Sequence, residues 1–227
     1  MLLRKISKSI AAFVVYVMCA YGYLTAKGFV YDGNQFILTN KAEASDIREF
    51  QISEEDIRAL GDQNAPLTMY IVSAVTCSHC RDFHKFTLPK LERDFISKGL
   101  LRFVYLHFPT DETTMRAAKL SYCLPEDKFY DFIDDLYSSR DWQFTQNEDI
   151  LINHAKKFGM TDSDIDLCRE NKKITSDLLR IRENVFNTFH ITATPTIVVK
   201  SGNKIEVVEF NGYEDLKKHL ETKLSKQ

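Results

Sequence analysis

Apolar and polar positions alternate in two distinct rhythms along the 227 residues. Leu67-Thr68-Met69-Tyr70-Ile71-Val72 is apolar, rich in β-prone residues and preceded by the loop-forming Asp62-Gln63-Asn64-Ala65-Pro66, the signature of a buried strand. Leu100 to Phe108 (LLRFVYLHF) reads as a second. Between them Phe83, Phe86, Leu91 and Phe95 recur at helical spacing, with Pro89 expected to kink the helix and Gly99 to end it. From Asp111 to Phe189 the pattern is helical, with candidate segments Met115–Leu124, Lys128–Ser139, Glu148–Phe158, Asp162–Cys168 and Lys172–Phe189. The strand rhythm returns in Thr196–Lys200 and Lys204–Phe210, joined by the hairpin turn Ser201-Gly202-Asn203, and Asp215–Leu224 closes the chain as an amphipathic helix. Upstream, Glu49–Ile52 reads as a short strand, and Ser53-Glu54-Glu55-Asp56 as the cap and acidic first turn of a short helix ending near Gly61. The order strand, helix, strand, helical block, strand, strand, helix describes an α/β sheet interrupted by a helical insertion around one core.

The first residues follow another pattern. Arg4, Lys5 and Lys8 form a basic head, and Ile10 to Leu24 carries no charge. That run has the length of a signal-peptide apolar region and falls short of the roughly 20 residues of a comfortable membrane span. Residues 1–26 are therefore expected to be a signal peptide or an N-terminal membrane anchor, and residues 27–48, weakly periodic and rich in turn formers, a linker. Met18 stands where a lipoprotein signal wants a small residue, which discounts lipidation of Cys19. The domain boundaries that follow are 49–110 and 190–224 for the two parts of the sheet domain and 111–189 for the helical insert.

Composition adds little constraint: 44% hydrophobic, 27% charged and a net charge of -2. A nucleic-acid partner ordinarily meets a basic face, and none is indicated. Export changes the meaning of the cysteines. Without Cys19 of the leader, Cys77, Cys80, Cys123 and Cys168 remain, an even number suited to an oxidising compartment.

Cys77-Ser78-His79-Cys80 carries the chemistry. A thiol reacts as the thiolate, and three features favour that form at Cys77. It sits at the start of the predicted helix, where free N–H groups favour negative charge. Cys80, one turn later, can donate its S–H. His79 can hydrogen-bond or, protonated, pair with it. Cys80, more buried, is placed to resolve mixed disulfides. Two other readings stand beside this one. A CxxC can be half of a zinc site, although such sites want a second close pair and Cys123 and Cys168 are 45 residues apart. It can also be an inert structural disulfide.

These residues, in this order, resemble the DsbA family of thioredoxin-fold thiol–disulfide oxidoreductases. The resemblance covers residues from about 50 to 224 and rests on Ala65-Pro66-Leu67-Thr68, Cys77-Ser78-His79-Cys80, Thr194-Pro195 before Thr196–Lys200, and the helical insertion. It implies a thioredoxin fold with an inserted helical domain. It also implies a cis Thr194-Pro195 peptide lying against the cysteines, with the Thr194 backbone facing a substrate peptide as an added strand. Some relatives carry a second disulfide; with the parity of the cysteines this suggests a Cys123–Cys168 bond. Many thioredoxin-like proteins have a buried acid six residues before the first cysteine, where this chain has Ile71. Ser78 and Thr194 also depart from the best-known oxidases.

The function expected is donation of a Cys77–Cys80 disulfide to reduced substrate proteins, with Cys77 as nucleophile, Cys80 resolving and His79 stabilising the thiolate. No cofactor or metal is needed, because the cysteine pair carries both electrons. The resemblance implies a membrane partner for re-oxidation; the leader points to the periplasm, and a monomer is expected because no clear dimerisation module is visible between residues 27 and 60. An isomerase or reductase of the same fold, a peptide-holding chaperone and a metal-handling protein are the alternatives. Blander readings suit the remaining residues. His84 and Lys85 are expected to face solvent. His107 is expected as a satisfied core residue, Trp142 and Phe144 as packing in the insert, and Phe129, Phe132 and Tyr137 as helix core.

Overall fold

The computed structural model describes residues 29–31, 36–38, 50, 52–54, 57–139, 141–143 and 148–226. The apolar leader and Phe144 lie outside them. Within the stretch expected to be a linker, β1 (Phe29–Tyr31) and β2 (Phe36–Leu38) pair antiparallel, in a unit, residues 1–45, separate from the rest.

The second unit, residues 46–227, is built on a five-stranded sheet. Its strands are β3 (Arg58–Leu60), β4 (Leu67–Ser73), β5 (Leu101–His107), β6 (Thr196–Ser201) and β7 (Lys204–Val208), in the order β3-β5-β4-β6-β7. β4 and β5 run parallel, Leu67 opposite Leu101 through Ser73 opposite His107; the other pairings are antiparallel. The central pair is apolar on both faces because both faces are covered. Leu67, Met69 and Ile71 of β4 and Leu101, Phe103 and Tyr105 of β5 point to one layer, and Val72, Val104 and Leu106 to the other. Each fully buried Leu or Ile contributes roughly 1.5–3 kcal/mol.

The connection from β4 to β5 starts with α1 (Ser78–Asp82), widens into a π turn over Phe83–Thr87 and continues as α2 (Leu88–Asp94). Pro89 explains the wide turn. It has no N–H to donate one turn back, and Leu88 N–H bonds Phe83 O instead, five residues away. Phe86 falls off the buried stripe and is exposed, whereas Phe83, Leu88, Leu91 and Phe95 are buried.

Between β5 and β6 lie α3 (Glu112–Cys123), α4 (Phe129–Ser138), α5 (Glu148–Lys157), α6 (Asp162–Glu170) and α7 (Lys172–Phe189). Asp111 and Thr161 begin α3 and α6 with capping boxes. Phe129, Phe132, Ile133 and Leu136 of α4 join the core of the first layer. Ile181 and Val185 of α7 cover the second. The closing helix α8 (Tyr213–Leu224) adds Leu216 and Leu220 to the first layer. Cys123, ending α3, and Cys168 of α6 are joined by a disulfide. They therefore do not serve as the second pair of a zinc site. Among the described residues no helix is long and apolar enough to cross a membrane.

The helix expected from Ser53 to Gly61 does not run that far: Glu54 lies in a 3-10 turn, but Arg58–Leu60 forms an edge strand instead. The reason is non-local. Arg58, Ala59 and Leu60 pair with Tyr105, Val104 and Phe103 of β5, Ile57 is buried among Val104 and Leu106, and the Tyr130 hydroxyl donates to the Arg58 carbonyl at 2.9 Å.

Gly61 ends β3 with φ +90°, and a Cβ there would stand 2.6 Å from the Leu101 carbonyl oxygen. Gly159 has a similar φ of +96° in open space. Gly159→Ala is therefore expected to cost about 1–2 kcal/mol, the backbone penalty alone. Gly61→Ala is expected to cost at least about 1 kcal/mol more, from the added collision. Urea unfolding of the two variants checks the difference.

Candidate active site

The cysteine motif begins four residues after β4, so the strand delivers it to the end of the sheet. Cys77 is the N-cap of α1, with extended backbone (φ -77°, ψ 123°). Its N–H donates to the Ala74 carbonyl at 2.9 Å, closing the turn. The Cys80 N–H donates to Cys77 Sγ at 3.4 Å, the place a capping oxygen usually takes. Cys77 and Cys80 are free thiols, Cys77 half-buried and Cys80 buried.

The second wall comes from the other end of the sheet domain. β6 is registered on β4 with Thr196 opposite Val72 and Ile197 opposite Ile71. The residues just before β6 therefore meet the residues just after β4. The Thr194–Pro195 peptide is cis, and as a thiol Cys77 donates to the Thr194 carbonyl at 3.2 Å. His79 is exposed, and its backbone N–H is hydrogen-bonded to Cys77.

The two sulfurs are electrostatically unlike. Burial pushes the Cys77 thiol up, but hydrogen bonds from the Thr194 side chain, from the Cys80 N–H and thiol and from the His79 N–H together outweigh it. Cys77 is held below the usual thiol range. Cys80 is pushed up to about 12, first by burial, with Ser73 and Ala74 partly opposing it and the charge on Cys77 adding to it. One sulfur is thus held toward the thiolate at the surface and the other stays a thiol beneath it.

The layer beneath contains groups that stand out poorly in the sequence. Ser73 Oγ lies 2.8 Å from the Tyr137 hydroxyl, which lies 2.9 Å from that of Tyr105. Tyr137 belongs to the aromatic stripe of α4, which is core as expected, yet its hydroxyl reaches the motif. The only sequence signal is a polar Ser ending an apolar strand. His84 is buried rather than solvent-facing: its ring packs on Tyr137 at 5.1 Å and its Nε2 lies 3.5 Å from Asp134. The π turn and α4 enclose it, while Lys85 stays exposed. His107 is buried with Nε2 2.9 Å from Ser121 Oγ. Burial drops its pKa to about 3, so it is neutral. Trp142 is buried, donating to the Leu136 and Ser139 carbonyls.

A family model described as thioredoxin matches residues 53–222, well over half of the chain. The chain belongs to the thioredoxin family. Within this thioredoxin-family protein the fold is that of DsbA-type members. The crystal structure of Wolbachia pipientis alpha-DsbA1 superposes with a TM-score of 0.66 at 24% identity, covering 80% of this chain and 95% of that one. Disulfide bond formation protein D of Bacillus subtilis (strain 168) is 25% identical over 194 residues, 82% of this chain and 85% of that relative. Probable disulfide bond formation protein D of Bacillus anthracis is 26% identical over 106 residues, 44% of this chain. The match spans about half, 49%, of that relative's length.

Because folding lowers the Cys77 pKa, ionised Cys77 stabilises the reduced fold. That contribution is complete above the unfolded thiol value of about 8.5 and is lost as pH falls through the lower folded value. Thiolate absorbance of the reduced protein is expected to rise in one step below pH 8.5. The step should vanish in Cys77→Ser and persist in Cys80→Ser, with no Cys80 step at neutral pH.

Proposed function

We propose that this protein is a thiol–disulfide oxidoreductase that introduces disulfide bonds into exported proteins through a Cys77–Cys80 redox pair. The observation that carries this reading is the asymmetry of the two sulfurs beneath the cis Thr194–Pro195 peptide. Cys77 is held toward the thiolate by hydrogen bonds, and Cys80 is buried with its thiol pushed up to about 12. The names of the curated relatives, disulfide bond formation protein D in two Bacillus species, point the same way.

In the oxidised protein a substrate thiolate attacks Cys77 Sγ. The Cys77–Cys80 bond breaks and its electron pair goes to Cys80. A second substrate thiol then attacks the substrate sulfur of the mixed disulfide. Cys77 leaves as a thiolate, and the proton lost by that second thiol balances the one Cys80 gains. The pair carries both electrons, so the step needs no cofactor. A stabilised Cys77 thiolate favours the reduced form, which makes the disulfide an oxidant. The backbone of Thr194, whose carbonyl faces Cys77, is the edge on which a substrate peptide pairs as an added strand. His79 supports the thiolate through its N–H. A membrane partner re-oxidises the pair, and the protein acts as a monomer in the periplasm, reached through the apolar leader.

Oxidative folding of a reduced, disulfide-requiring substrate protein is the test. The oxidised wild-type chain is expected to form substrate disulfides stoichiometrically. Cys77→Ser and Cys80→Ser, neither of which can hold the disulfide, should both fall to the uncatalysed rate; offered the substrate in its oxidised form, Cys80→Ser should accumulate mixed disulfides through Cys77, visible by mass spectrometry. Full activity in Cys77→Ser would leave a peptide-holding chaperone as the better reading.

A further inference from the structure

Cys80 takes the negative charge when the disulfide opens, yet it is buried, and Ile71, six residues before Cys77, is apolar and 2% exposed. Its polar surroundings are hydroxyls. Ser73 and the Ala74 N–H oppose the upward push of burial on the Cys80 thiol. Ser73 Oγ is 2.8 Å from Tyr137 Oη, and Tyr137 Oη is 2.9 Å from Tyr105 Oη and 3.5 Å from the Ala74 carbonyl. Ser73, Tyr105 and Tyr137 are all buried. They come from the ends of β4 and β5 and from α4 in the insert.

Hydroxyls both donate and accept, so this chain can follow the charge on the sulfur. Against a Cys80 thiolate, Tyr105 donates to Tyr137, Tyr137 to Ser73 and Ser73 to sulfur, and each bond polarises the next. Against a Cys80 thiol the order reverses. The S–H turns to Cys77, Ser73 donates to Tyr137 and Tyr137 to the Ala74 carbonyl. No donor or acceptor is orphaned in either state, which matters because an unmet buried polar group is costly.

We propose that Ser73 is a catalytic residue of disulfide exchange, its hydroxyl stabilising the Cys80 thiolate as it leaves the Cys77–Cys80 bond and as it attacks to re-form it, with Tyr137 and Tyr105 as positioning residues that polarise Ser73. This rests on the oxidoreductase reading. The electron balance is that of exchange itself: the substrate–Cys77 bond forms, the Cys77–Cys80 bond breaks, and the charge passes from the substrate sulfur to Cys80. Preorganised donors aimed at developing charge act most strongly in a water-excluded site. The insert thereby enters the chemistry, because Tyr137 is its residue.

The test uses the full-length oxidised chain and reduced glutathione as the attacking thiol, followed by rapid acid quench. Ser73→Ala is expected to slow opening of the disulfide about tenfold or more, the effect of one hydrogen bond to a charged group. Tyr137→Phe, which keeps the ring, should slow it about threefold to tenfold, and Tyr105→Phe less. The double variant Ser73→Ala/Tyr137→Phe should be no slower than Ser73→Ala alone, because Tyr137 acts through Ser73. The thiolate step of Cys77 should stay in place throughout, which a general loosening of the fold would not allow. Rates within twofold of wild type in Ser73→Ala and Tyr137→Phe, or effects that multiply in the double variant, overturn the proposal. Should Ser73→Ala not fold, Tyr137→Phe decides by the same rate and the same Cys77 step. A wild-type chain that fails to oxidise glutathione contradicts the oxidoreductase reading itself, so the two failures are distinct.

Discussion

The antiparallel register of β6 on β4 is the constraint from which the site follows. It sets Thr196 opposite Val72, and so brings together the turn that leaves one strand and the turn that enters the other. Cys77 and Thr194, 117 residues apart, come within hydrogen-bond distance. A slip of one residue would turn every β6 side chain to the opposite face. Ile197 and Val199, now in the first-layer core, would exchange places with Val198. The burial that stabilises the sheet therefore also sets the geometry of the sulfurs.

The same burial divides the work between the cysteines. A cap position leaves Cys77 half-exposed among donors, while one turn of helix carries Cys80 into the core. Nothing in the CxxC spacing alone makes the two unequal. The inequality needs the sheet end above and the insert below, where Tyr137 and Tyr105 back Ser73. The helical insert is thus more than a cover for the sheet: α4 supplies a hydroxyl to the buried half of the site, and α7 seals the opposite face.

Much of this was legible in the chain and some of it could not be. The central strands stand out because a strand buried on both faces must be apolar throughout. The helices of the insert stand out because long periodic segments carry caps such as Asp111 and Thr161. β3 is different. Its three residues have little pattern of their own, and the acidic cap-like stretch before them argues for a helix; pairing with β5, more than 40 residues away, decides it. His84 misleads for a similar reason, since only the π turn before Pro89 and the approach of α4 bury it. Ser73 and Tyr137 lie 64 residues apart. Each has an ordinary explanation alone, a strand end and a core aromatic, and only packing joins them.

The central claim is that hydrogen bonds to Cys77, set against a buried Cys80, make the pair an oxidant. The equilibrium constant of the Cys77–Cys80 pair with glutathione measures that directly. A reduction potential well above about -270 mV, toward the roughly -180 to -120 mV of strongly oxidising members of the fold, is the predicted result. A potential at or below about -270 mV would contradict the account and leave the protein a reductase.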